Sequence, residues 1–431
     1  MQLNRIGPKL FWMLALLVIP LWFISFPETT LRHNIKPIPV YLSQLTSLVG
    51  FSCFALSFVL AARIKSLENA FGGLDRMYHT HHIMAITAVI LLILHPILLA
   101  VRWIPEDSGR ILWYLLPVHR RFEINLGSYA LWGVILLTIA TFLKKLPYHH
   151  WKITHKFMGV FFVLGALHIF YLDLSFSSNP PLMAYLVLLS VTGTGAWVYK
   201  TVLFGFMTSK KSYQVTGLHR PTRNILEIEL TPNQNPIAFK SGQYFFFSFR
   251  TSGLSREYHP FTVTQYTQRG DIKIMVKALG DYTKALHRNL QTGDMAYLEG
   301  PYGCFDYQKG TRSQVWIAGG VGVAPFLCWV NELLSAPRDD LKVDFYYCVN
   351  SVDDIVYSNI YKKLASQMPS FLVHYIRADR EGFINVEKIP KLDEREIFIC
   401  GPRAMRRHIL KALKDRNFPK NRIHFEDFDF V

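Results

Sequence analysis

The chain is poor in charge and in cysteine. Only 18% of its 431 residues are Asp, Glu, Lys or Arg and half are hydrophobic, a balance that excludes an ordinary soluble protein. Its five cysteines, Cys53, Cys304, Cys328, Cys348 and Cys400, form no CxxC pair. That removes the usual iron–sulfur and zinc spacings and any disulfide framework, and it points to a reducing compartment for the half that holds four of them. No nucleic-acid motif is present, and the net charge of +16 is dispersed, about +9 before residue 200 and +7 after it. Membrane orientation and anionic lipid explain that excess better than nucleic acid does. The apolar runs lack paired acidic residues, which argues against a transporter. No small-x-small cleavage site follows the first run, Leu10 to Phe26, so it reads as a retained helix and not a removed leader.

What is abundant is long apolar sequence, and it stops near residue 205. Six spans are expected, at roughly 9–26, 40–62, 79–101, 126–143, 156–173 and 181–204, each near the 20 residues that cross a bilayer. An even number places both ends on one side. Ten Lys and Arg flank the spans on that side against six on the other, which makes it the cytoplasmic side of a multi-pass protein of the inner cell membrane. From Ser212 the pattern changes to short alternating strands (SYQVTGL, NILEIEL, QYFFFSF, DIKIMVKAL, MAYLEG), a small antiparallel barrel. After Gly310 apolar strands (QVWIAG, KVDFYYC, FLVHYI, EIFIC) alternate with helices, a parallel α/β sheet. The expected architecture is a multi-domain protein: a six-helix transmembrane bundle over 1–208, an antiparallel β-barrel over 209–310 and an α/β nucleotide-binding domain over 311–431.

Four histidines interrupt two of the apolar spans, His81 and His95 in one, His155 and His168 in the other. An imidazole in hydrocarbon is costly unless something holds it, so intramembrane histidines are functional candidates. Two pairs at two depths suit bis-histidine ligation of two haems, with His81 facing His155 and His95 facing His168. His81 and His95 are fourteen residues apart, which on an ideal helix returns to within roughly 40° of one face about 21 Å along the axis. His155 and His168 are thirteen apart, leaving about 140° on an ideal helix. His82 is the rival of His81. His150 would restore the face with His168, but at about 27 Å it nearly exhausts the hydrocarbon core, so His155 is preferred. His79, His149 and His150 read as interfacial residues.

The soluble half carries two sets of nucleotide signals. After Ser241-Gly242-Gln243-Tyr244 comes Arg256-Glu-Tyr-His259-Pro260-Phe261-Thr262, where flavin reductases of the ferredoxin-reductase superfamily carry Arg-x-Tyr-Ser/Thr. In that comparison His259 takes the arginine's place at the pyrophosphate, Phe261 lies along the flavin ring and Thr262 reaches the N5 region. In Val276-Lys277-Ala278-Leu279-Gly280-Asp281-Tyr282-Thr283, Gly280 admits phosphate to the backbone and Thr283 can donate from a helix N-terminus. The turn Gly300-Pro301-Tyr302-Gly303 then leads to the second domain. There Gly319-Gly320-Val321-Gly322-Val323-Ala324-Pro325 follows a strand and opens a helix, as a dinucleotide pyrophosphate requires. Cys400-Gly401-Pro402 after EIFI completes a nicotinamide signature, with Cys400 placed near the nicotinamide.

Taken in order along the whole chain, these features resemble the ferric reductase–NADPH oxidase superfamily, most of all its bacterial single-chain, oxidase-like members. The family also shows unequal histidine spacings on its two helices, which supports His155. The resemblance implies two b-type haems, FAD, and NADPH or NADH, with Phe430 covering the flavin ring until nicotinamide displaces it; Phe430, Cys400 and Thr262 are then the residues nearest the chemistry. Many NADPH-using relatives place an arginine after the strand KVDFYYC to hold the 2′-phosphate; here Asn350 stands there, with Arg377 or Arg380 as substitutes. The implied activity is electron transfer from cytosolic NAD(P)H to oxygen or a ferric chelate outside, with the bilayer as environment and no obligate protein partner. A membrane-anchored flavoreductase serving a quinone or a protein is the alternative.

Overall fold

The computed structural model describes residues 6–24, 37–104, 107, 109, 111–142, 148–172, 180–208 and 210–426. The chain divides into two compact units, Met1–Met207 and Thr208–Val431.

In the first unit six helical spans are long and apolar enough to cross a membrane. They are α1 (Ile6–Ile24), α2 (Pro37–Ala61), α3 (Leu74–Val101), α4 (Phe122–Phe142), a broken fifth span made of α5 (Tyr148–Lys156) and α6 (Met158–Tyr171), and α7 (Pro180–Val198), which runs on through a π-helical turn at Tyr199–Leu203. Their outward faces stay apolar, with Ile90, Leu136, Ile139 and Val191 all exposed, as a lipid-facing surface demands. The spans match the six expected. The ideal-helix geometry assumed for the fifth does not hold. Between α5 and α6 the bonds tighten to i→i+3, Phe157 N–H to the Thr154 carbonyl and Val160 N–H to the Phe157 carbonyl, both 3.0 Å. A tightened turn packs fewer residues per revolution than 3.6 and so rotates α6 relative to α5.

In the second unit β1 (Lys211–Thr222), β2 (Ile225–Pro232), β3 (Tyr244–Arg250), β4 (His259–Tyr266), β5 (Ile272–Lys277) and β6 (Met295–Tyr302) close a barrel in the order β1-β2-β5-β4-β3-β6. Phe245, Phe247 and Phe249 alternate into its interior, where α8 (Asp281–Asn289) adds Leu286, the period-two pattern of a strand with one face in a core. Five parallel strands follow, β7 (Ser313–Gly319), β8 (Lys342–Val349), β9 (Phe371–Arg377), β10 (Glu396–Cys400) and β11 (Ile423–Glu426), in the order β11-β10-β7-β8-β9. The helices α9 (Ala324–Ser335), α10 (Ser358–Gln367) and α11 (Arg403–Asp415) cover them. Trp316, Phe326, Trp329 and Phe345 fill the core on one face and Ile317, Ile397, Ile399 and Ile409 the other. β11 was not among the strands read from the sequence: its four residues pair only with β10, too short a run to show a pattern.

α9 also fastens this sheet to the barrel. Asn331 Nδ2 donates to the β4 carbonyl of Thr264 at 3.1 Å. The Glu332 carboxylate accepts from the Ser241 hydroxyl, and from Gln308 Nε2 at 2.7 Å.

Candidate functional site

In the bundle, α3 sets its two histidines against α2. His81 Nδ1 lies 2.8 Å from the Ser57 carbonyl, and His95 Nδ1 lies 3.0 Å from the Ser43 carbonyl and 2.8 Å from the Ser43 hydroxyl. That hydroxyl donates onward to the His95 carbonyl at 2.8 Å. On the other side of the bundle His168 Nδ1 lies 2.6 Å from the Glu123 carbonyl of α4. A carbonyl oxygen only accepts, so in each case Nδ1 carries the proton and Nε2 keeps its lone pair, the form a metal binds. His81 and His155 approach each other with ring centroids 6.5 Å apart. Two imidazoles sharing one metal through bonds of about 2 Å would stand about 6 Å apart between centroids. His155 stacks on Trp151 at 5.3 Å and 27°, and among the described residues its buried Nδ1 has no hydrogen-bond partner. His168 lies within electrostatic reach of His95. His79, His82 and His150 are exposed on the bundle surface. The separation of His81 and His155 thus fits one bis-imidazole metal centre, and His95 and His168 are the candidates for a second.

Three residues of this arrangement carry no obvious signal of their own. Ser43 and Ser57 are fully or nearly fully buried, and they are spaced fourteen residues apart on α2 just as His81 and His95 are on α3. Gly127 on α4 is the third: a Cβ there would fall 2.8–2.9 Å from the His168 ring. Elsewhere on the bundle the outward sides of α4 and α6, with Tyr129, Trp132, Leu136 and Phe161, line an open apolar groove.

In the barrel, β4 begins at His259 and lies antiparallel to β3, with Phe261 opposite Phe245 and Thr262 opposite Tyr244. His259 stacks on Tyr282 of α8 at 3.7 Å and its Nε2 lies 3.1 Å from Glu257. Pro260 is half-buried beside it, Phe261 packs against Phe247 at 5.9 Å and Thr262 is buried. Arg250, at the end of β3, holds its guanidinium 5.2 Å from the Tyr297 ring and leaves Nη1 buried without a partner among the described residues, as is the Tyr258 hydroxyl. Burial and the Glu299 carboxylate raise the Tyr258 phenol, keeping it a proton donor. Two buried donors without a partner among the described residues suit an anionic group such as a pyrophosphate. Lys277 ends β5 on the approach to that helix.

The Thr283 hydroxyl accepts from the Leu279 and Gly280 N–H groups at 2.9 and 3.1 Å and donates to the Gly280 carbonyl at 3.1 Å. It closes the start of α8, beside the backbone N–H groups of that first turn.

In the parallel sheet the strand order reverses between β7 and β10, the crevice in which doubly wound sheets take their nucleotides. Gly319 and Gly320 end β7 and start the turn, and Gly322 and Pro325 lead into α9. A Cβ on Gly322 would fall 2.6 Å from the Cys400 carbonyl and from the Gly401 Cα, so glycine is what lets the two strand ends close together. Cys400 itself is fully buried, followed by Gly401 and Pro402 at the start of α11. Arg377 ends β9 opposite Val349, next to Asn350, whose carbonyl accepts from the Asp379 N–H at 3.1 Å. The Arg377 guanidinium stands 3.5 Å from Glu381, and the Arg377 N–H and charge hold that carboxyl below its usual range. Arg380 follows three residues later in the turn. Phe430 lies outside the described residues.

Fold and site together define a multi-pass membrane protein whose second unit pairs a flavin-binding barrel with a nicotinamide-binding sheet. Residues 46–166 match the ferric reductase like transmembrane component, 206–310 an FAD-binding domain and 316–411 the oxidoreductase NAD-binding domain. The chain belongs to the ferric reductase–NADPH oxidase superfamily.

It is similar to the plasma membrane-associated coenzyme Q6 reductase PGA3 of Saccharomyces cerevisiae, 27% identical across 38% of this chain and 57% of that protein. It is similar also to the reductase component of propane 2-monooxygenase from Rhodococcus jostii, 26% identical across 50% of this chain and 62% of that protein. The chain therefore spans less than two thirds of either relative. The flavohemoglobin of Malassezia yamatoensis shares the fold, with a TM-score of 0.53 at 16% identity over 92% of this chain and all of that one.

Proposed function

We propose that this protein is an oxidoreductase that carries electrons from NAD(P)H through FAD and two b-type haems to oxygen on the far side of the cell membrane, forming superoxide. The reading rests above all on the paired imidazoles of His81 and His155, 6.5 Å apart inside an apolar bundle. When bound, the nicotinamide supplies a hydride, the flavin parts its two electrons, and the haems accept them singly.

The chain's own residues bind and orient. His81 with His155, and His95 with His168, offer one ligating pair at each depth, with the Ser57, Ser43 and Glu123 carbonyls fixing ring orientation and tautomer. His259, with Lys277, Gly280 and the first turn of α8, would hold the flavin pyrophosphate. Pro260, Phe261 and Thr262 would shape the ring's place, with Phe430 as its cover. Gly319, Gly320, Gly322 and Pro325 would seat the nicotinamide dinucleotide, Cys400, Gly401 and Pro402 would wall the nicotinamide, and Arg377 would meet the ribose end.

No side chain need act as acid or base where the electron leaves, because oxygen can take it through space. The excess of Lys and Arg beside the terminal-side loops favours cytoplasmic placement of both soluble domains.

Purified protein should carry two haems per chain with b-type bands in reduced-minus-oxidised spectra; absence of those bands would sink the reading. Cytochrome c reduction that superoxide dismutase suppresses should exceed ferrozine-detected iron reduction. The reverse ratio would make the acceptor a ferric chelate, and neither activity beside quinone reduction would leave a membrane-anchored reductase.

A further inference from the structure

In a chain of net charge +16, the segments that follow β8 and end β9 are acidic. Residues 350–354 and 377–381 hold Arg377 and Arg380 against Asp353, Asp354, Asp379 and Glu381, two positive charges against four negative. Strand order puts these segments where the second half of a dinucleotide runs. The glycine turn after β7 has Cys400 of β10 on one side and the ends of β8 and β9 on the other. With strands about 4.8 Å apart, the end of β9 stands about 10 Å from that turn.

Backbone hydrogen bonds fix the acids there. The Ala378 N–H donates to the Val349 carbonyl at 2.9 Å and the Asp379 N–H to the Asn350 carbonyl at 3.1 Å, which ties the two strand ends together. The chain then turns back, with the Arg380 and Glu381 N–H groups donating to the Arg377 carbonyl at 3.1 and 2.8 Å. That turn delivers the Glu381 carboxylate to Arg377. One of its oxygens accepts from the Arg377 N–H at 2.7 Å, and the other lies 3.5 Å from the guanidinium. The same N–H and charge keep Glu381 ionised at neutral pH. The Arg377 side chain is 20% exposed, so little of it is left for a second anion. Arg380 is exposed, and both its chain neighbours are acidic.

NADH and NADPH differ at the 2′ position of the adenosine ribose, a hydroxyl in one and a dianionic phosphate in the other. Arginine suits the phosphate, and a carboxylate, which can only accept, suits the hydroxyl. We infer that the coenzyme of this protein is NADH and that Glu381 is the specificity-determining residue, accepting from the ribose 2′-hydroxyl and holding Arg377 away from a 2′-phosphate. The inference rests on the reading above that these strand ends take a nicotinamide dinucleotide with Arg377 at its ribose end. Glu381 then selects by repulsion as well as by attraction.

The test compares the two dinucleotides in ferricyanide reduction by the purified full chain loaded with FAD, a readout that needs no haem, and in calorimetric binding of NAD+ and NADP+. In the wild type kcat/KM for NADH should exceed that for NADPH by about tenfold or more. Glu381→Gln, which keeps the shape and drops the charge, should raise kcat/KM for NADPH through KM and tighten NADP+ several-fold without tightening NAD+. Glu381→Arg should invert the preference. Added salt should narrow the wild-type preference by screening the repulsion, the reverse of its effect on a phosphate held by arginine. A wild-type ratio at or below one overturns the inference, and so does a Glu381→Gln protein with full flavin and an unmoved ratio. Flavin that neither dinucleotide reduces is the separate failure of the dinucleotide reading, seen before any ratio is formed.

Discussion

Gly127 stands where α4 comes closest to an imidazole, and one methyl group decides whether His168 can stay there. The Cβ of alanine would lie 2.8 Å from two atoms of that ring, closer than packed atoms come, and overpacking of this kind costs about 1–3 kcal/mol or moves the side chain. Gly127→Ala should therefore release one haem per chain and spare the other, read as a halved pyridine haemochrome value with flavin content unchanged; two retained haems would show that His168 does not need the space. Residues of this kind are hard to read from sequence. The four histidines declare themselves because an ionisable group in hydrocarbon is costly, whereas a glycine or serine in a membrane helix is common and cheap. Ser43 and Ser57 did leave a trace, their shared fourteen-residue spacing with His81 and His95, which has meaning only once α2 and α3 are known to lie antiparallel. Thr283 is ambiguous in sequence for a related reason: its place near a helix start suits a ligand and a cap equally, and the structure shows the cap.

Among the elements, α9 has the most demanding position, since it starts at the glycine turn, fills the sheet's core with Phe326 and Trp329, and grips the barrel through Asn331 and Glu332. Glu332 gathers the Ser241 hydroxyl, Gln308 at 2.7 Å and the Tyr307 hydroxyl at 3.4 Å. Removing the carboxylate leaves Ser241 and Tyr307, both buried, short of a partner, which costs about 1–3 kcal/mol. Glu332→Ala should lower the temperature at which the full-length protein in detergent releases its flavin, and Glu332→Gln should recover most of the loss; an unchanged midpoint for the alanine variant would show the clamp to be dispensable. Hydrophobic period made the spans and most strands legible, because each has a face that must be buried. The fifth span escaped that logic. Its apolar residues fix where it crosses but not its phase, and the tightened turn at Phe157 depends on backbone hydrogen bonds that no side chain announces.

At the scale of the whole molecule, burial sets how the protein answers to pH. Cys328 and Cys348 are pushed up to about 12 by burial from an ordinary value near 9. Between those values the folded chain keeps protons that the unfolded chain has lost, so stability falls as pH rises through that window, by up to about 1.4 kcal/mol per unit for each thiol. Unfolding temperature should therefore be flat up to about pH 8 and fall above pH 9, and Cys328→Ser with Cys348→Ser should flatten the fall. A slope that survives both substitutions would assign it to the buried tyrosines Tyr347 and Tyr361, which burial raises in the same direction. The bundle has its own form of robustness. Ser57 and Ser43 meet His81 and His95 at two levels about 21 Å apart, and two attachments do what one cannot. A helix pinned once can still roll about the pin or slip along its neighbour; pinned twice at equal spacing, it can do neither without breaking both. The register of α3 against α2 is thereby written into the polypeptide itself, like a frame drilled in advance at two heights.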